Sequence, residues 1–253
     1  MLGIPVEKTA KDEKLIEVGN HLINYIEMGE GYPIILVHGL GTSLDLWEHN
    51  LESLACYGKV YALDLPGFGN SSKPKEIINT EAMANILYQW CKVKGIKKAH
   101  IIGHSLGGEV CLWFASNYPK MVKSMVLAAS TGIKTRISLK TRLVNMIKDA
   151  PLEPVFLFPR LMSAYSKAGL VRIVTTLLSS NPARLLNKVR KIKVPTLVIS
   201  GSKDPVVTLE ESVELNQVLQ NSQLEIINGA HGLIFDAADL LNESICNFYK
   251  SLK

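Results

Sequence analysis

The chain lacks any segment that resembles a membrane anchor or an export signal. Its 253 residues contain no run of about 18 apolar residues, the length that a membrane-spanning helix needs. Residues 1–14 are polar and charged beyond Val6 and have no apolar core, so no secretory signal is predicted. We therefore expect a cytoplasmic protein without a transmembrane segment.

Motifs for metal and nucleotide binding are also missing. The four cysteines, Cys56, Cys91, Cys111 and Cys246, show no C-x-x-C spacing, and there is no H-E-x-x-H sequence. No G-x-G-x-x-G or G-x-x-x-x-G-K-[ST] loop follows a predicted strand. The sequence thus predicts free thiols, no metal site and no cofactor.

Acidic residues are scarce in one part of the chain. Between Thr131 and Pro195, 13 lysines and arginines accompany only two acids, Asp149 and Glu153, which gives a net charge of +11 in a chain whose total is +5. The block contains no aromatic residues interleaved with its basic ones in the manner of a nucleic-acid-binding surface, so no nucleic-acid partner is expected. Its prolines and irregular periodicity indicate a separate, inserted helical segment.

Outside this block, strands and helices alternate. A hairpin around Gly19-Asn20 comes first, and the later strands are short continuous apolar runs, as expected when helices cover both faces of a parallel sheet. The later predicted strands span 33–38, 59–65, 99–104, 124–130, 196–200 and 223–227; the predicted helices span 43–55, 80–93, 106–118, 209–219 and 237–252. Thr80 is expected to be the N-cap of the second helix. The predicted fold class is α/β with a mostly parallel sheet, in which ligands bind at the carboxyl ends of the strands.

The segment from Gly103 to Gly107 reads G-H-S-L-G and fits the G-x-S-x-G nucleophile elbow. A serine at the tip of a tight strand-to-helix turn presents its hydroxyl group to a substrate carbonyl. Gly103 and Gly107 are expected where the helix and a neighbouring strand pass too close for a Cβ atom. The helix that begins after Ser105 can stabilise developing negative charge through its free N–H groups.

Two later turns supply an acid and a base. One predicted strand ends in Gly201-Ser202-Lys203-Asp204-Pro205, and the next ends in Asn228-Gly229-Ala230-His231-Gly232. A neutral serine needs an adjacent base; His231 can remove the proton of Ser105, and Asp204 can orient the imidazole. The alternative for Asp204 is the initiation of a turn before Pro205.

Three polar residues of neighbouring turns are assigned structural roles. His38 and His104 are expected to be structural hydrogen-bonding residues and not the base. Asp64 is expected to form a turn.

Five turns in this order resemble the α/β-hydrolase superfamily. The resemblance implies an eight-stranded sheet, a core of residues 1–130 and 194–253, and a helical cap of residues 131–193. It also implies that the backbone N–H groups of Leu40 and Leu106 form the oxyanion hole. The motifs are His38-Gly39-Leu40-Gly41, Asp64-Leu65-Pro66-Gly67-Phe68-Gly69-Asn70-Ser71, Gly103-His104-Ser105-Leu106-Gly107-Gly108, Gly201-Ser202-Lys203-Asp204-Pro205 and Gly229-Ala230-His231.

Within this superfamily a serine at the elbow implies acyl transfer, since relatives that open epoxides or displace halide usually place aspartate there. We expect a serine esterase that acts on small-molecule esters. Apolar cap residues are expected to line its acyl pocket: Phe156, Phe158, Met162 and Tyr165. Cap cations such as Arg136, Lys140, Arg142 and Arg160 are expected to steer an anionic or carrier-bound substrate.

Three alternatives remain open. The first is thioester hydrolysis or acyl transfer to a nucleophile other than water, as in perhydrolysis. The second is a slow-turnover receptor on the same fold. The third is carbon–carbon bond hydrolysis, which is weakened because Gly232 stands where such relatives commonly have tryptophan and residues 130–133 lack their glycine/proline-rich segment.

Overall fold

A computed structural model describes residues 12–133, 141, 144–145 and 148–252, without the side chain of Phe156. Eight strands form one sheet in the order β1-β2-β4-β3-β5-β6-β7-β8. The strands β1, β2 and β4 pair antiparallel, and all other pairs are parallel, so the predicted mostly parallel sheet is confirmed. The strands are β1 Lys14–Val18, β2 His21–Met28, β3 Pro33–Val37, β4 Lys59–Leu63, β5 Ala99–His104, β6 Val122–Ala128, β7 Thr196–Gly201 and β8 Ser222–Ile227.

Helices cover both faces of the sheet. The α-helices whose bounds the structure describes are α1 Leu51–Ala55, α2 Thr80–Val93, α3 Leu106–Asn117, α4 Phe158–Ala168, α5 Leu170–Leu178, α6 Pro182–Val189, α7 Leu209–Val218, α8 Leu233–Asp236 and α9 Ala238–Ser251. Short 3₁₀ turns span Leu44–Trp47, Pro119–Met121, Ala150–Leu152 and Val155–Leu157.

Two sequence-based helix assignments need correction. The predicted helix 43–55 is interrupted, because the buried side chain of Asn50 lies between a 3₁₀ turn and α1 and donates to Asn242 Oδ1 at 2.9 Å. The N-cap of α2 is Asn79, whose side chain accepts from Ala82 N–H at 2.8 Å, and not Thr80. The Thr80 hydroxyl group donates instead to Glu109 Oε1 at 2.7 Å.

The hydrophobic core consists of one layer on each face of the sheet. One layer contains Trp90 and Trp113 from α2 and α3, and the other contains Trp47 and Phe248. Every residue of β5 and β7 is buried. Full burial of each Val, Leu or Ile side chain contributes about 1.5–3 kcal/mol, so the strand ends that carry the candidate site are firmly held.

The segment between β6 and β7 contains α4, α5 and α6. Helix α6 packs on the core, since Leu185 and Val189 are fully buried in the same layer as α3. Asn181 caps α6 by accepting from Arg184 N–H at 3.1 Å. The division of the chain into a core and a cap of residues 131–193 stays a prediction.

Within the described part of the chain, none of the helices combines the length and the apolar character that crossing a membrane requires.

Candidate active site

Ser105 lies at the sharp turn between β5 and α3. Its backbone has φ +52° and ψ −119°, an unfavourable conformation for a residue with a side chain, which costs about 1–3 kcal/mol. The turn is held because Ser105 N–H donates to Ala128 O at 3.0 Å and Gly108 N–H donates to Ser105 O at 3.0 Å. The surrounding sheet and helix therefore impose the strained turn that presents the hydroxyl group.

The glycines around Ser105 are required by close packing. A Cβ atom on Gly103 would lie 2.5 Å from Gly107 O, and one on Gly107 would lie 2.2 Å from Val37 O in β3. The expected close approach of the helix and a neighbouring strand is thus confirmed. A third glycine, Gly108, has the same role, since its Cβ would lie 2.1 Å from Ser130 Oγ.

The ends of β5, β7 and β8 bring Ser105, Asp204 and His231 together. Ser105 Oγ is 3.0 Å from His231 Nε2, and His231 Nδ1 is 2.9 Å from Asp204 Oδ2. Asp204 Oδ1 accepts from the N–H groups of Val206 and Val207 at 2.7 and 2.9 Å. Two backbone N–H groups therefore hold Oδ1 of the carboxylate in place, and Oδ2 is left to contact the imidazole.

The carboxyl groups around His231 raise the pKa of its imidazole. Burial of His231 lowers its pKa, but the charge and hydrogen bond of Asp204, together with the nearby carboxyls of Asp149 and Glu153, raise the pKa above its usual value. An Nδ1–H that donates to Asp204 leaves Nε2 free to accept the Ser105 proton.

The other two histidines at this edge are engaged elsewhere. His38 Nε2 accepts from Leu65 N–H at 2.9 Å, so its Nδ1–H donates to Gly39 O at 2.7 Å. His104 Nε2–H donates to the backbone carbonyl of His231 at 2.8 Å, and burial lowers the pKa of His104 to about 3. Both side chains are used in structural hydrogen bonds, as the sequence indicates.

Asp64 organises the loop after β4. Its Oδ1 atom accepts from Leu44 N–H at 2.7 Å, and its Oδ2 atom accepts from Asn70 N–H at 2.8 Å and from Asn24 Nδ2 at 2.9 Å. The buried carboxyl thereby joins three segments of the chain, which agrees with the expected structural role.

The turn after β3 packs beside the serine. A Cβ atom on Gly39 would lie 3.2 Å from Ser105 Cβ, and Gly39 O accepts from the hydroxyl group of Thr42 at 2.9 Å. Leu40, in this turn, and Leu106, the first residue of α3, both line the cavity in front of Ser105. Their assignment as oxyanion-hole residues stays a prediction.

A cavity of about 880 Å³ opens in front of Ser105 and His231. Its apolar wall includes Leu157 and Leu161 of the basic block. It also includes residues to which the sequence does not point, and three of them follow Asp204 or His231 closely in the chain. These additional apolar residues are Leu46, Leu177, Val206, Ile234 and Phe235. Proximity to Asp204 and His231 in the sequence is the signal that could have identified Val206, Ile234 and Phe235.

The predicted substrate-binding residues contribute unequally to the cavity. Tyr165 is half-buried and lies against Gly41, where a Cβ atom would be 2.7 Å from its ring. Phe158 and Met162 also line the cavity but are 60% and 50% exposed, so they lie at its rim. The side chain of Phe156 lies outside the described residues.

The described part of the cavity wall contains acids and no lysine or arginine. These acids are Glu109, Asp149 and Glu153. In the sequence, Asp149 and Glu153 stand out only as the two acids of the basic block, and that isolation is the signal that could have identified them.

Two described cations of the segment between β6 and β7 form ion pairs with acids outside that segment. Arg160 pairs with Glu48 and lies over the Phe235 ring, and Arg184 pairs with Glu81 at 2.7 Å. The predicted steering residues Arg136, Lys140 and Arg142 lie outside the described residues. An anionic substrate therefore stays a prediction, and the Arg160 guanidinium is already paired with Glu48.

In residues 12–133 and the described part of 141–252, no group of three or more His, Cys, Asp or Glu side chains is arranged to hold a metal ion.

Several known proteins are similar to this chain over most of its length. The dihydrolipoyllysine-residue acetyltransferase component of the acetoin cleaving system of Pseudomonas putida is 28% identical over 259 residues, covering 92% of this chain and 68% of that protein. The 2-hydroxy-6-oxo-6-(2'-aminophenyl)hexa-2,4-dienoic acid hydrolase of Metapseudomonas resinovorans is 26% identical over 243 residues, covering 85% and 82%. The crystal structure of a candidate lipase from Acinetobacter baumannii AYE superposes with a TM-score of 0.85 at 26% identity, covering 96% of this chain and 92% of that one.

The family comparison covers four of the eight strands, β3 to β6, and the elbow. The family model described as the alpha/beta hydrolase fold matches residues 32–187, which is more than half of the chain. With the strand order, the elbow and the similar structures in agreement, the chain belongs to the alpha/beta hydrolase fold family.

Proposed function

We propose that this protein is a serine hydrolase that cleaves carboxylic esters with an apolar acyl chain through an acyl-enzyme intermediate. The observation that carries the proposal is the chain of contacts from Ser105 Oγ through His231 to Asp204 at the wall of a largely apolar cavity. Family membership and the similarity to a candidate lipase support hydrolysis as the reaction class.

The first half of the reaction forms the acyl-enzyme. His231 Nε2 takes the Ser105 proton while Oγ attacks the ester carbonyl carbon, and Asp204 stabilises the resulting imidazolium. The backbone N–H groups of Leu40 and Leu106 are proposed to bind the oxyanion; one such donor contributes about 2.7–4 kcal/mol in enzymes of this type. The tetrahedral intermediate then collapses, the C–O bond breaks, and His231 donates its proton to the leaving alcohol.

The second half releases the acid. His231 removes a proton from water, which attacks the acyl carbon, and the second tetrahedral intermediate expels Ser105 Oγ as His231 returns the proton. In this reaction scheme, every catalytic group belongs to this chain, and water is the second substrate. The acyl chain is proposed to lie against the apolar wall of the cavity.

Wild-type protein is expected to turn over p-nitrophenyl esters with a preference that follows the apolar cavity. Because each buried methylene contributes about 0.8 kcal/mol, kcat/KM is expected to rise by at most about fourfold per methylene until the chain outgrows the cavity. The measurement is steady-state kinetics on esters from acetate to palmitate, with matched thioesters. A single slow turnover on all of them would favour the receptor alternative, and a strong thioester preference would favour acyl-carrier processing.

A second candidate is hydrolysis of a carbon–carbon bond. It is favoured by the similarity to the dienoic acid hydrolase of Metapseudomonas resinovorans. It is disfavoured by the charge of the described cavity wall, which contains the acids Glu109, Asp149 and Glu153 and no lysine or arginine that could bind the carboxylate of such a substrate. Turnover of a vinylogous 1,5-diketo acid at a rate above that of every ester would replace the ester proposal with this one.

The acid side of the pH profile follows from the raised pKa of His231. Only a neutral imidazole can accept the Ser105 proton, so activity is lost as the pH falls through this pKa. We expect kcat/KM for p-nitrophenyl butyrate to decline about tenfold per pH unit below a midpoint that lies above the usual histidine pKa near 6.5. A pH–rate profile with its midpoint well below 6.5 would contradict His231 as a base paired with Asp204.

A further inference from the structure

Three consecutive backbone N–H groups in the loop that carries His231 are bound by three different carboxyl groups. One carboxyl comes from α8, directly after the loop, but the other two come from the segment between β6 and β7. The pairs are Ala230 N–H with Asp236 Oδ2 at 2.9 Å, His231 N–H with Asp149 Oδ1 at 3.1 Å, and Gly232 N–H with Glu153 Oε1 at 2.6 Å. Residues distant in the sequence thus determine the position of the histidine backbone.

Asp149 and Glu153 also contact each other. Their carboxyl groups lie within hydrogen-bonding reach of each other, and Glu153 Oε2 is buried with no N–H or O–H donor among the described residues. A hydrogen bond between two carboxyl oxygens requires a proton on one of them. Burial and the charge of Asp149 raise the pKa of Glu153 to about 8, and burial raises the pKa of Asp149 as well.

Close packing against Glu153 explains why position 232 is glycine. Its φ of −77° is accessible to any residue, so backbone conformation does not require glycine there. A Cβ atom would instead lie 2.3 Å from Glu153 Oε2 and 2.7 Å from Glu153 Oε1. The absence of a side chain at Gly232 therefore makes room for the Glu153 carboxyl group.

We propose that Asp149 and Glu153 share one proton and act together as positioning residues that hold the His231 loop in register with Ser105. The proposal rests on the proposed function of His231 as the base. The segment between β6 and β7 then takes part in the alignment of the catalytic groups, in addition to forming a wall of the cavity.

The groups that face the pair explain why it holds a proton. Two further acids oppose a second negative charge, and a neutral tyrosine adds none. The protonated form of the histidine and the two backbone N–H groups favour ionisation, but burial and the neighbouring acids outweigh them at Glu153. The side chains among these groups are Asp204, Asp236, Tyr165 and His231. When Glu153 ionises, two adjacent carboxylates repel each other, and the contact between them is lost.

Variants of Glu153 separate positioning from simple packing. Glu153→Gln keeps an oxygen that accepts from Gly232 N–H and an amide N–H that donates to Asp149, so it mimics the protonated acid without titrating. We expect Glu153→Ala to lower kcat for p-nitrophenyl butyrate about 10- to 100-fold with a much smaller change in KM. Gly232→Ala, which displaces the carboxyl group, is expected to act in the same direction. Glu153→Gln is expected to recover most of the lost kcat and to remove the decline of wild-type activity above about pH 8.

The control is Glu243→Gln, an exposed glutamate on α9 outside the cavity lining, which is expected to keep the wild-type pH profile. If Glu153→Gln shows the same alkaline decline as wild type, or loses as much kcat as Glu153→Ala, the proposal is overturned. This variant remains informative even if the alanine variants fail to fold.

Thermal stability provides a readout that does not depend on ester hydrolysis. A carboxyl whose pKa is raised by folding contributes stability below its unfolded value near 4.5, and that contribution is lost as the pH rises toward about 8. The Tm of Glu153→Gln minus that of wild type is therefore expected to grow between pH 5 and pH 8 and to level off above.

Ester hydrolysis and the Tm difference test the proposed function and the shared proton separately. An inactive wild-type protein that shows this Tm difference refutes the proposed function but supports the shared proton. An active enzyme whose Tm runs parallel to that of Glu153→Gln at every pH refutes the shared proton and leaves the proposed function intact.

Discussion

Ser105→Ala is expected to lower kcat for p-nitrophenyl butyrate by about 10⁴- to 10⁶-fold, since removal of the nucleophile eliminates the acyl-enzyme route. Alanine keeps the Cβ atom and leaves the turn between β5 and α3 unchanged, so the cavity remains available for substrate. Residual activity is expected from oxyanion binding and substrate positioning alone. Steady-state kinetics and stoichiometric release of p-nitrophenol in the first turnover measure the effect.

The matched control is Ser116→Ala on the same helix. The Ser116 hydroxyl group donates to Trp113 O at 3.0 Å near the end of α3, away from the cavity. This variant is expected to keep wild-type kinetics. If Ser105→Ala retained wild-type activity with its fold intact by circular dichroism, the proposed nucleophile would be wrong.

Asp204→Asn is expected to lower kcat by about 10⁴-fold while leaving the fold intact. The side-chain oxygen of asparagine can still accept from Val206 and Val207, so the turn keeps its two hydrogen bonds. Its amide nitrogen then faces His231 Nδ1 and donates to it, which places the imidazole proton on Nε2. In that tautomer Nε2 cannot accept the Ser105 proton.

An exposed aspartate on α9, Asp239, provides the comparison for Asp204. Asp239→Asn removes the same charge far from the cavity lining and is expected to have no effect on kcat. A loss below tenfold for Asp204→Asn would indicate that Asp204 only initiates a turn, the alternative that its position before Pro205 leaves open. Measurement of kcat across pH 6 to 9 separates a tautomer effect from a shift in the pKa of His231.

Features that depend only on neighbouring residues in the chain could be predicted from the sequence. The apolar run before Ser105 predicts a buried strand because both faces of a parallel sheet are covered, and β5 is buried throughout. The predicted N-cap Thr80 was wrong because Asn79 and Thr80 are both capable caps, and the contact of Thr80 with Glu109 on another helix decides between them. Propensity alone contains no information about that distant partner.

The positions of the charges between β6 and β7 were likewise not determined by the sequence. A count of residues reveals a strongly basic block, yet two of its described cations, Arg160 and Arg184, pair with acids outside it. Meanwhile the isolated acids Asp149 and Glu153 reach the loop of His231. Composition determines net charge, whereas the position of each charge depends on which surfaces the folded chain brings together.

The sequence by itself determined the family resemblance, the order of strands and helices, and the residue types at the strand ends, because turn chemistry and apolar periodicity are local properties. Only the tertiary structure decided that Ser105, His231 and Asp204 lie within hydrogen-bond distance and that Asp149 and Glu153 bind the histidine loop. The physical reason is that hydrogen bonds and electrostatic interactions act over a few ångströms in space, and the folded sheet alone brings residues separated by 27 to 126 positions that close.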